Sequence, residues 1–258
     1  MEKYFHQAIK SCRIGEKGFF FRHSAGEVEV LMAFFWTKGV ILVYYLCLFI
    51  MLIVSCYHSK WKRYHVLLKT GASLGFLAMA LLAWAELGFV WEAVLPALML
   101  PGFLFCFAGD VGLALYDRKP ANGKFLIGLS LFLLGHVLFL LSLYRFTAFS
   151  WTDLIFPVLM TGAAFGLTRL KRMDVQKMGP CILAYAFFVS MFCGKGVQTA
   201  LLFSSQQGLW LGTGAVLFLL SDLILLFVFF YHPFRPSGKF WNLLTYYGGM
   251  MCLALSLS

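Results

Sequence analysis

Eight long apolar stretches fill most of this 258-residue chain and restrict what it can fold into. A helix needs about 20 apolar residues to span a bilayer. The eight windows cover residues 39–57, 66–85, 93–116, 124–144, 151–168, 180–200, 208–231 and 240–257. A lone strand cannot satisfy its backbone hydrogen bonds in lipid, so each window predicts a helix. We therefore expect an all-α, polytopic membrane bundle of about eight transmembrane helices.

Composition agrees with this class. The chain is 61% hydrophobic and 12% charged, whereas soluble domains have about 25% charged residues. The net charge of +10 resides mainly in short loops, where basic residues orient helices and meet anionic lipid headgroups. A nucleic-acid partner is therefore not expected. The seven cysteines include no CxxC pair, which predicts small buried residues and neither disulfides nor a metal site. No cofactor is expected.

Loop charges predict the orientation in the membrane. Four alternate loops are basic, and by the positive-inside rule they are cytoplasmic, which puts both chain ends outside. These loops cover residues 57–65, 117–124, 169–179 and 232–239. Residues 1–37 carry mixed charges and a short apolar run at 28–36, so we expect an interfacial or partly buried segment ahead of a membrane domain at 38–258. The host membrane is the inner membrane if the source is bacterial and the endoplasmic reticulum if it is eukaryotic.

Ionisable side chains inside the apolar windows mark the candidate site. A carboxylate in hydrocarbon costs several kcal/mol unless it faces protein or water, so intramembrane acids are functional candidates. At a rise of about 1.5 Å per residue, five polar side chains from five windows lie between about 5 and 13 Å from the cytoplasmic ends, and a histidine lies at about 18 Å. The five are Lys69, Asp110, Tyr185, Asp222 and Tyr246, and the histidine is His136. This agreement in depth predicts one shared pocket.

Helical spacing adds an aromatic lining. Phe125, Gly128, Phe132 and His136 share one face of the fourth window. Aromatic and glycine residues beside acids suit a slot for a lipid tail, although both are also common in packed membrane helices. Structural alternatives exist for the polar residues too: an interhelical clamp for the acid pair, a satisfied core histidine, and a lysine that snorkels to the headgroups.

The polar residues lie in motifs that resemble the YhhN-like lysoplasmalogenase family from about residue 60 to the C-terminus. The motifs are AGDVGLAL at 108–115, FLIGLSLFLLGH at 125–136, GAVLFLLSD at 214–222 and LTYYGG at 244–249. Lys69 and Tyr185 fit the same order. The chain departs from many relatives at three positions, with Thr70 in place of proline, Phe139 in place of tyrosine and Met250 in place of glutamine.

This resemblance implies hydrolysis of the vinyl-ether bond of a lysoplasmalogen, which yields a fatty aldehyde and glycerophosphocholine or glycerophosphoethanolamine. One of Asp110 and Asp222 would be the general acid, and the other would stabilise the oxocarbenium ion and activate water. His136 would orient the water or tune a carboxyl group. The remaining expected roles concern the substrate or an acid: Lys69 would bind the phosphate or pair with an aspartate, Tyr185 and Tyr246 would hydrogen-bond the glycerol or an aspartate, and Phe125 and Phe132 would line the slot.

Two other classes also fit a bundle with buried acids. An intramembrane aspartyl protease uses two aspartates, but Phe107 stands two residues before Gly109, so the GxGD motif is missing. A transporter or a lipid-binding protein without chemistry would favour inverted repeats and helices broken at matched positions, and neither is evident. Aldehyde formation without flux would separate an enzyme from a transporter.

Overall fold

A computed structural model describes residues 25–86, 94–118, 122–175, 178–232 and 237–257. Within these ranges it contains eight α-helices, which confirms the all-α prediction. They are α1 Ala25–Tyr57, α2 His65–Glu86, α3 Val94–Arg118, α4 Asn122–Leu143, α5 Ile155–Thr168, α6 Gly179–Leu202, α7 Gln206–Phe230 and α8 Ser237–Leu255. Short 3-10 helices, Ser59–Tyr64 and Trp151–Leu154, precede α2 and α5.

Among the described residues, seven helical segments are long and apolar enough to cross a membrane. The fifth reaches this length because the 3-10 helix runs into α5, giving Trp151–Thr168. The eighth predicted window corresponds to α8, which is less apolar because polar residues such as Asn242 and Tyr246 interrupt it. Eight of the 19 residues of α8 are buried, Tyr246 among them, and a helix packed in this way needs less lipid-facing apolar surface. The protein is an integral, multi-pass membrane protein.

The first helix begins earlier than the first apolar window. α1 continues through the run 28–36, and residues from Met32 onward belong to the first candidate span. No proline or capping pair interrupts the sequence there, and the Thr37 hydroxyl bonds the Ala33 carbonyl oxygen within the helix. Lys38–Ser258 forms one compact unit. Residues 1–24 of the predicted segment lie outside the described residues.

Six helices pack in a closed ring in the order α2, α3, α4, α6, α7, α8 and back to α2. Each contributes one fully buried aromatic ring to the core: Phe76, Phe103, Phe139, Phe192, Phe218 and Tyr247. In the described part of the chain, α5 packs on α6 and on the 3-10 helix before it. The ring therefore has a central core, and α5 lies on its outside.

Glycines let α7 and α8 approach closely. A Cβ atom added to Gly214 would lie 2.9 Å from the Gly249 carbonyl oxygen, and one on Gly249 would lie 3.1 Å from the Gly214 carbonyl oxygen. Backbone atoms cannot move aside as a flexible side chain can. The close α7–α8 contact, which positions Asp222 and Tyr246, thus depends on residues without side chains.

An ion pair fixes the connection between α4 and α5. Lys195 of α6, which is 2% exposed, donates to Asp153 Oδ2 at 2.8 Å and to the Ala148 carbonyl oxygen at 2.9 Å. Tyr144 OH and Ser150 N–H also donate to Asp153 Oδ2. Because the carboxylate and the ammonium group are both hydrogen-bonded, burial of the pair is compensated. The cluster is a structural clamp.

Candidate functional site

Asp110 of α3 lies in a hydrogen-bonded network near the centre of the ring. It is 1% exposed, and its Oδ2 accepts hydrogen bonds from Ser73 Oγ at 2.6 Å and Tyr246 OH at 2.7 Å. Lys69 Nζ lies 3.3 Å from Oδ1. Lys69 and Ser73 reach the same carboxylate because residues four apart share a face of α2. The network thus joins α2, α3 and α8.

A second layer supports this network. Tyr247 OH lies 3.2 Å from Ser73 Oγ and also 3.2 Å from the Lys69 carbonyl oxygen, to which it donates. The Tyr247 carbonyl oxygen accepts a 2.6 Å hydrogen bond from Tyr45 OH of α1. With Lys69 only 9% exposed and Ser73 fully buried, the carboxylate of Asp110 has its charge and hydrogen bonds satisfied by protein groups.

Asp222 of α7 has different partners. Its Oδ2 accepts a 2.9 Å hydrogen bond from Tyr185 OH of α6, and no lysine or arginine pairs with it among the described residues. His136 Nε2 lies 4.0 Å from the same oxygen. At this separation a water molecule could hydrogen-bond to both atoms.

His136 is oriented by its other ring nitrogen. Nδ1 lies 2.6 Å from the Phe132 carbonyl oxygen, which can only accept, so Nδ1 carries a proton. Nε2 is buried and, within the described part of the chain, has no hydrogen-bond partner. Phe218 and Tyr185 surround the imidazole edge-on, with centroid distances of 4.4 and 5.6 Å. The ring is thus held with Nε2 on the side of Asp222.

Asp222 and Tyr185 line an apolar groove between α4, α5, α6 and α7 with a cavity volume of about 170 Å³. Among the described residues that line it, Ser190 is the only other polar side chain. The apolar lining includes Phe125 and Leu129 from α4, Met160, Ala163, Ala164 and Leu167 from α5, Ile182 and Val189 from α6, and Leu219, Leu226, Phe229 and Phe230 from α7. Such a groove suits a hydrocarbon chain and brings it against one carboxyl group.

The predicted residues therefore fall into two adjacent networks. Lys69 and Tyr246 join Asp110, whereas Tyr185 and His136 lie beside Asp222. The two aspartates do not contact one another directly. Aromatic packing connects the networks, because the Phe218 ring contacts both His136 and Tyr246, at 4.4 and 5.3 Å.

The two predicted lining phenylalanines separate in the same way. Phe125 lines the groove and packs on Phe229 at 5.1 Å. Phe132 packs instead on Tyr246 at 5.8 Å and fills the space beside Gly109. Phe132 thus supports the Asp110 network, and its carbonyl oxygen orients His136.

Sequence reasoning missed Ser73, Tyr247 and the contribution of α5. The signal for Ser73 was its position one helical turn after Lys69, and Tyr247 directly follows Tyr246 in a motif already singled out. The α5 wall consists of alanine, leucine and methionine residues, which give no chemical signal. Among the described residues, no group of three or more histidine, cysteine, aspartate or glutamate side chains could hold a metal ion.

Fold and site together define a class: a multi-pass α-helical membrane protein with one buried carboxyl group, Asp110, and a second, Asp222, that is 10% exposed and lines a largely apolar groove. A family model described as the YhhN family matches residues 72–257, and the chain belongs to that family. This match confirms the family predicted from the motifs. The YhhN family is known as lysoplasmalogenase-like. The matched range contains Asp110, His136, Tyr185, Asp222 and Tyr246 and begins after Lys69. No match was found among curated proteins or among solved structures.

Proposed function

We propose that this protein hydrolyses the vinyl-ether bond of lysoplasmalogens, giving a fatty aldehyde and a glycerophosphodiester. The observation that carries the proposal is the carboxyl group of Asp222 in a largely apolar groove. A vinyl ether joins a hydrocarbon chain directly to the bond that must be broken, so the acid has to meet the substrate where the chain is bound. Membership of a lysoplasmalogenase-like family supports the same reaction.

In the first step Asp222 acts as the general acid. Its carboxylic acid form transfers a proton to the β-carbon of the vinyl ether, and the double-bond electrons form the new C–H bond. The α-carbon becomes an oxocarbenium ion, and Asp222 becomes a carboxylate beside it, as in glycosidases. Tyr185, which donates to Oδ2 at 2.9 Å, fixes the orientation of the carboxyl group.

In the second step water adds to the oxocarbenium carbon. His136 presents an unpartnered Nε2 towards Asp222, and this nitrogen accepts one proton of the attacking water. The product is a hemiacetal, which collapses to the aldehyde and the free glycerol hydroxyl group. Return of the proton to Asp222 completes the cycle, and one water molecule is consumed.

Asp110 serves as a positioning residue in this scheme. It is paired with Lys69 and accepts from Tyr246, whose ring packs on Phe218, and Phe218 packs on His136. An aspartate already bound to an ammonium group is a poor proton donor. In this scheme the two aspartates expected as a dyad have unequal roles. Asp222 contacts the substrate, and Asp110 positions the residues around it.

Product analysis in D₂O tests the reaction. Purified protein in neutral detergent is incubated with lysoplasmenylethanolamine or its choline analogue, and the aldehyde is analysed by mass spectrometry. We expect aldehyde carrying one deuterium on the carbon next to the carbonyl group, because the acid protonates that carbon. Folded protein that binds either lipid without releasing aldehyde would contradict the proposal and favour a lipid-binding role.

A further inference from the structure

The connection between α5 and α6 lies beside one end of the groove. Asp174 N–H donates to the Phe230 carbonyl oxygen at 2.9 Å, and His232 N–H donates to the Arg172 carbonyl oxygen at 3.0 Å. These bonds flank an antiparallel bridge between Met173 and Tyr231. We call residues 169–174 the rim loop. Its two neighbours Leu167 and Phe230 line the groove, so the rim loop is fixed at the groove mouth.

The rim loop is basic and exposed. Arg169, Lys171 and Arg172 are all exposed, as is the His232 side chain that follows α7. Asp174 is the single acidic residue of the loop. The Arg169 guanidinium group stacks over the Phe165 ring at 4.7 Å. Since Asp174 offsets only one of three cations, the mouth of the groove attracts anions.

A lysophospholipid needs a cationic partner for its phosphate, and Lys69 is engaged elsewhere. The Lys69 ammonium group is buried and paired with Asp110, and Lys69 does not line the groove that contains Asp222. Of the two roles expected for Lys69, pairing with an aspartate is the one it has here. The phosphate therefore requires another set of cations.

The distances fit a substrate that runs from the rim loop to Asp222. Asp222 and Phe230, the last residue of α7, are eight residues apart, which corresponds to about 12 Å along the helix. Six bonds separate the phosphorus atom from the vinyl-ether α-carbon and span about 7 Å when extended. A lysine or arginine side chain covers a similar length. The headgroup and a basic side chain, placed end to end, are together long enough to reach from Asp222 to the rim loop.

The geometry points to a phosphate subsite at the rim loop, in which Lys171 and Arg172, with Arg169 and His232 beside them, bind the phosphodiester of the lysolipid headgroup. This inference rests on the proposed function. It adds a recognition element for the phosphate, separate from the acid at Asp222, and it assigns the open end of the groove to the headgroup. The hydrocarbon chain then runs past Asp222 toward Leu219 and Val189 at the other end.

The test compares two substrates with the same alkenyl chain, lysoplasmenylethanolamine and the phosphate-free 1-alkenylglycerol, in neutral detergent without anionic lipid. For Lys171→Gln/Arg172→Gln we expect KM for the phospholipid to rise tenfold or more with kcat little changed. Hydrolysis of the alkenylglycerol should be unaffected. Lys60→Gln/Arg63→Gln removes two exposed cations from the 3-10 helix between α1 and α2, away from the groove, and should behave as the parent protein.

The outcomes separate the two proposals. If the parent protein releases aldehyde from neither substrate, the proposed function fails. If it cleaves both and the rim-loop variant retains the parent KM for the phospholipid, the phosphate subsite is wrong and the function stands. An equal KM increase in the Lys60→Gln/Arg63→Gln variant would also overturn the subsite, because general surface charge would then explain the effect. Anionic phospholipid added to the micelles should raise KM for the parent protein more than for the rim-loop variant, because its phosphate competes for the same cations; an equal rise in both would contradict the subsite.

Discussion

At the scale of single residues, the two aspartates of the site differ in their partners. Asp222 accepts from Tyr185 and faces the groove, whereas Asp110 is paired with Lys69. We expect Asp222→Asn to reduce turnover by about 10²–10⁴-fold, the usual contribution of a general acid, because the amide has no transferable proton. Aldehyde release is the measurement, and size-exclusion chromatography checks folding. Glu29→Gln, at an exposed position of α1, is the control.

Asp110→Asn should behave differently. It leaves the groove acid intact but removes the counter-charge of Lys69. We therefore expect a lower free energy of unfolding, whereas turnover per folded molecule should fall less than in Asp222→Asn. Equal activity of Asp222→Asn and the parent protein would overturn the assignment of the acid. A larger loss of turnover in Asp110→Asn than in Asp222→Asn would exchange the two roles.

The Lys69–Asp110 pair makes a prediction about stability. Lys69→Met leaves a buried carboxylate without its cation, which typically costs about 3–5 kcal/mol. Lys69→Met/Asp110→Asn removes both charges and should recover much of that loss. Unfolding of the parent protein, Lys69→Met, Asp110→Asn and the double variant in the same detergent completes a double-mutant cycle. Additive losses would show that the 3.3 Å contact contributes no coupling.

Depth along the helices was enough to find the polar residues but not to pair them. The position of a residue within its apolar window gives its distance from the helix end. All six residues chosen by this depth belong to one of the two networks. Pairing depends on rotation about each helix axis and on which helices are neighbours. Lys69 lies beside Asp110, and Tyr185 beside Asp222, because α2 contacts α3 and α6 contacts α7, which no single window encodes.

At the scale of the helices, close contact of α7 and α8 positions both networks. Gly214→Ala would bring a Cβ atom within 2.9 Å of the Gly249 carbonyl oxygen, so α7 must shift, and overpacking of this kind costs about 1–3 kcal/mol. We expect a lower unfolding temperature together with reduced turnover, because α7 carries Asp222. Thermal unfolding and aldehyde release measure the two effects.

Gly162→Ala is the matched control for this substitution. A Cβ atom at Gly162 of α5 meets nothing within 4 Å, and alanine is favoured over glycine in a helix by up to about 1 kcal/mol. Its stability should be unchanged or slightly raised. If both substitutions lowered stability equally, a general effect of glycine replacement would explain the result, and the close α7–α8 contact would not.

Helix positions followed from hydrophobicity with errors of a few residues, and the exceptions have physical causes. The run 28–36 extends α1 because nothing in it stops a helix. The last window forms α8, in which Tyr246 and Tyr247 are buried. The groove wall on α5 could not be predicted, because its apolar residues look alike whether they face lipid, protein or a substrate chain.

At the scale of the whole molecule, the closed ring explains how buried polar groups are tolerated. Six helices each contribute an aromatic ring to one core, and the two networks lie within that ring. α5 packs outside the ring and completes a groove that reaches one network, at Asp222. The Asp110 network therefore stays enclosed by protein, while Asp222 can meet a lipid chain.

The orientation of this molecule in the membrane decides which leaflet supplies the substrate. The rim loop carries Arg169, Lys171 and Arg172, so the positive-inside rule predicts that it is cytoplasmic, and that the α6–α7 connection at Ser204 lies on the other side. Asp174→Cys and Ser204→Cys, both at exposed positions, report the two sides. With a membrane-impermeant thiol reagent, Ser204→Cys should gain label over the parent chain in intact cells, and Asp174→Cys only after permeabilisation. The reverse labelling pattern would show that the topology is inverted. The lipid headgroup that meets the rim loop would then come from the outer leaflet.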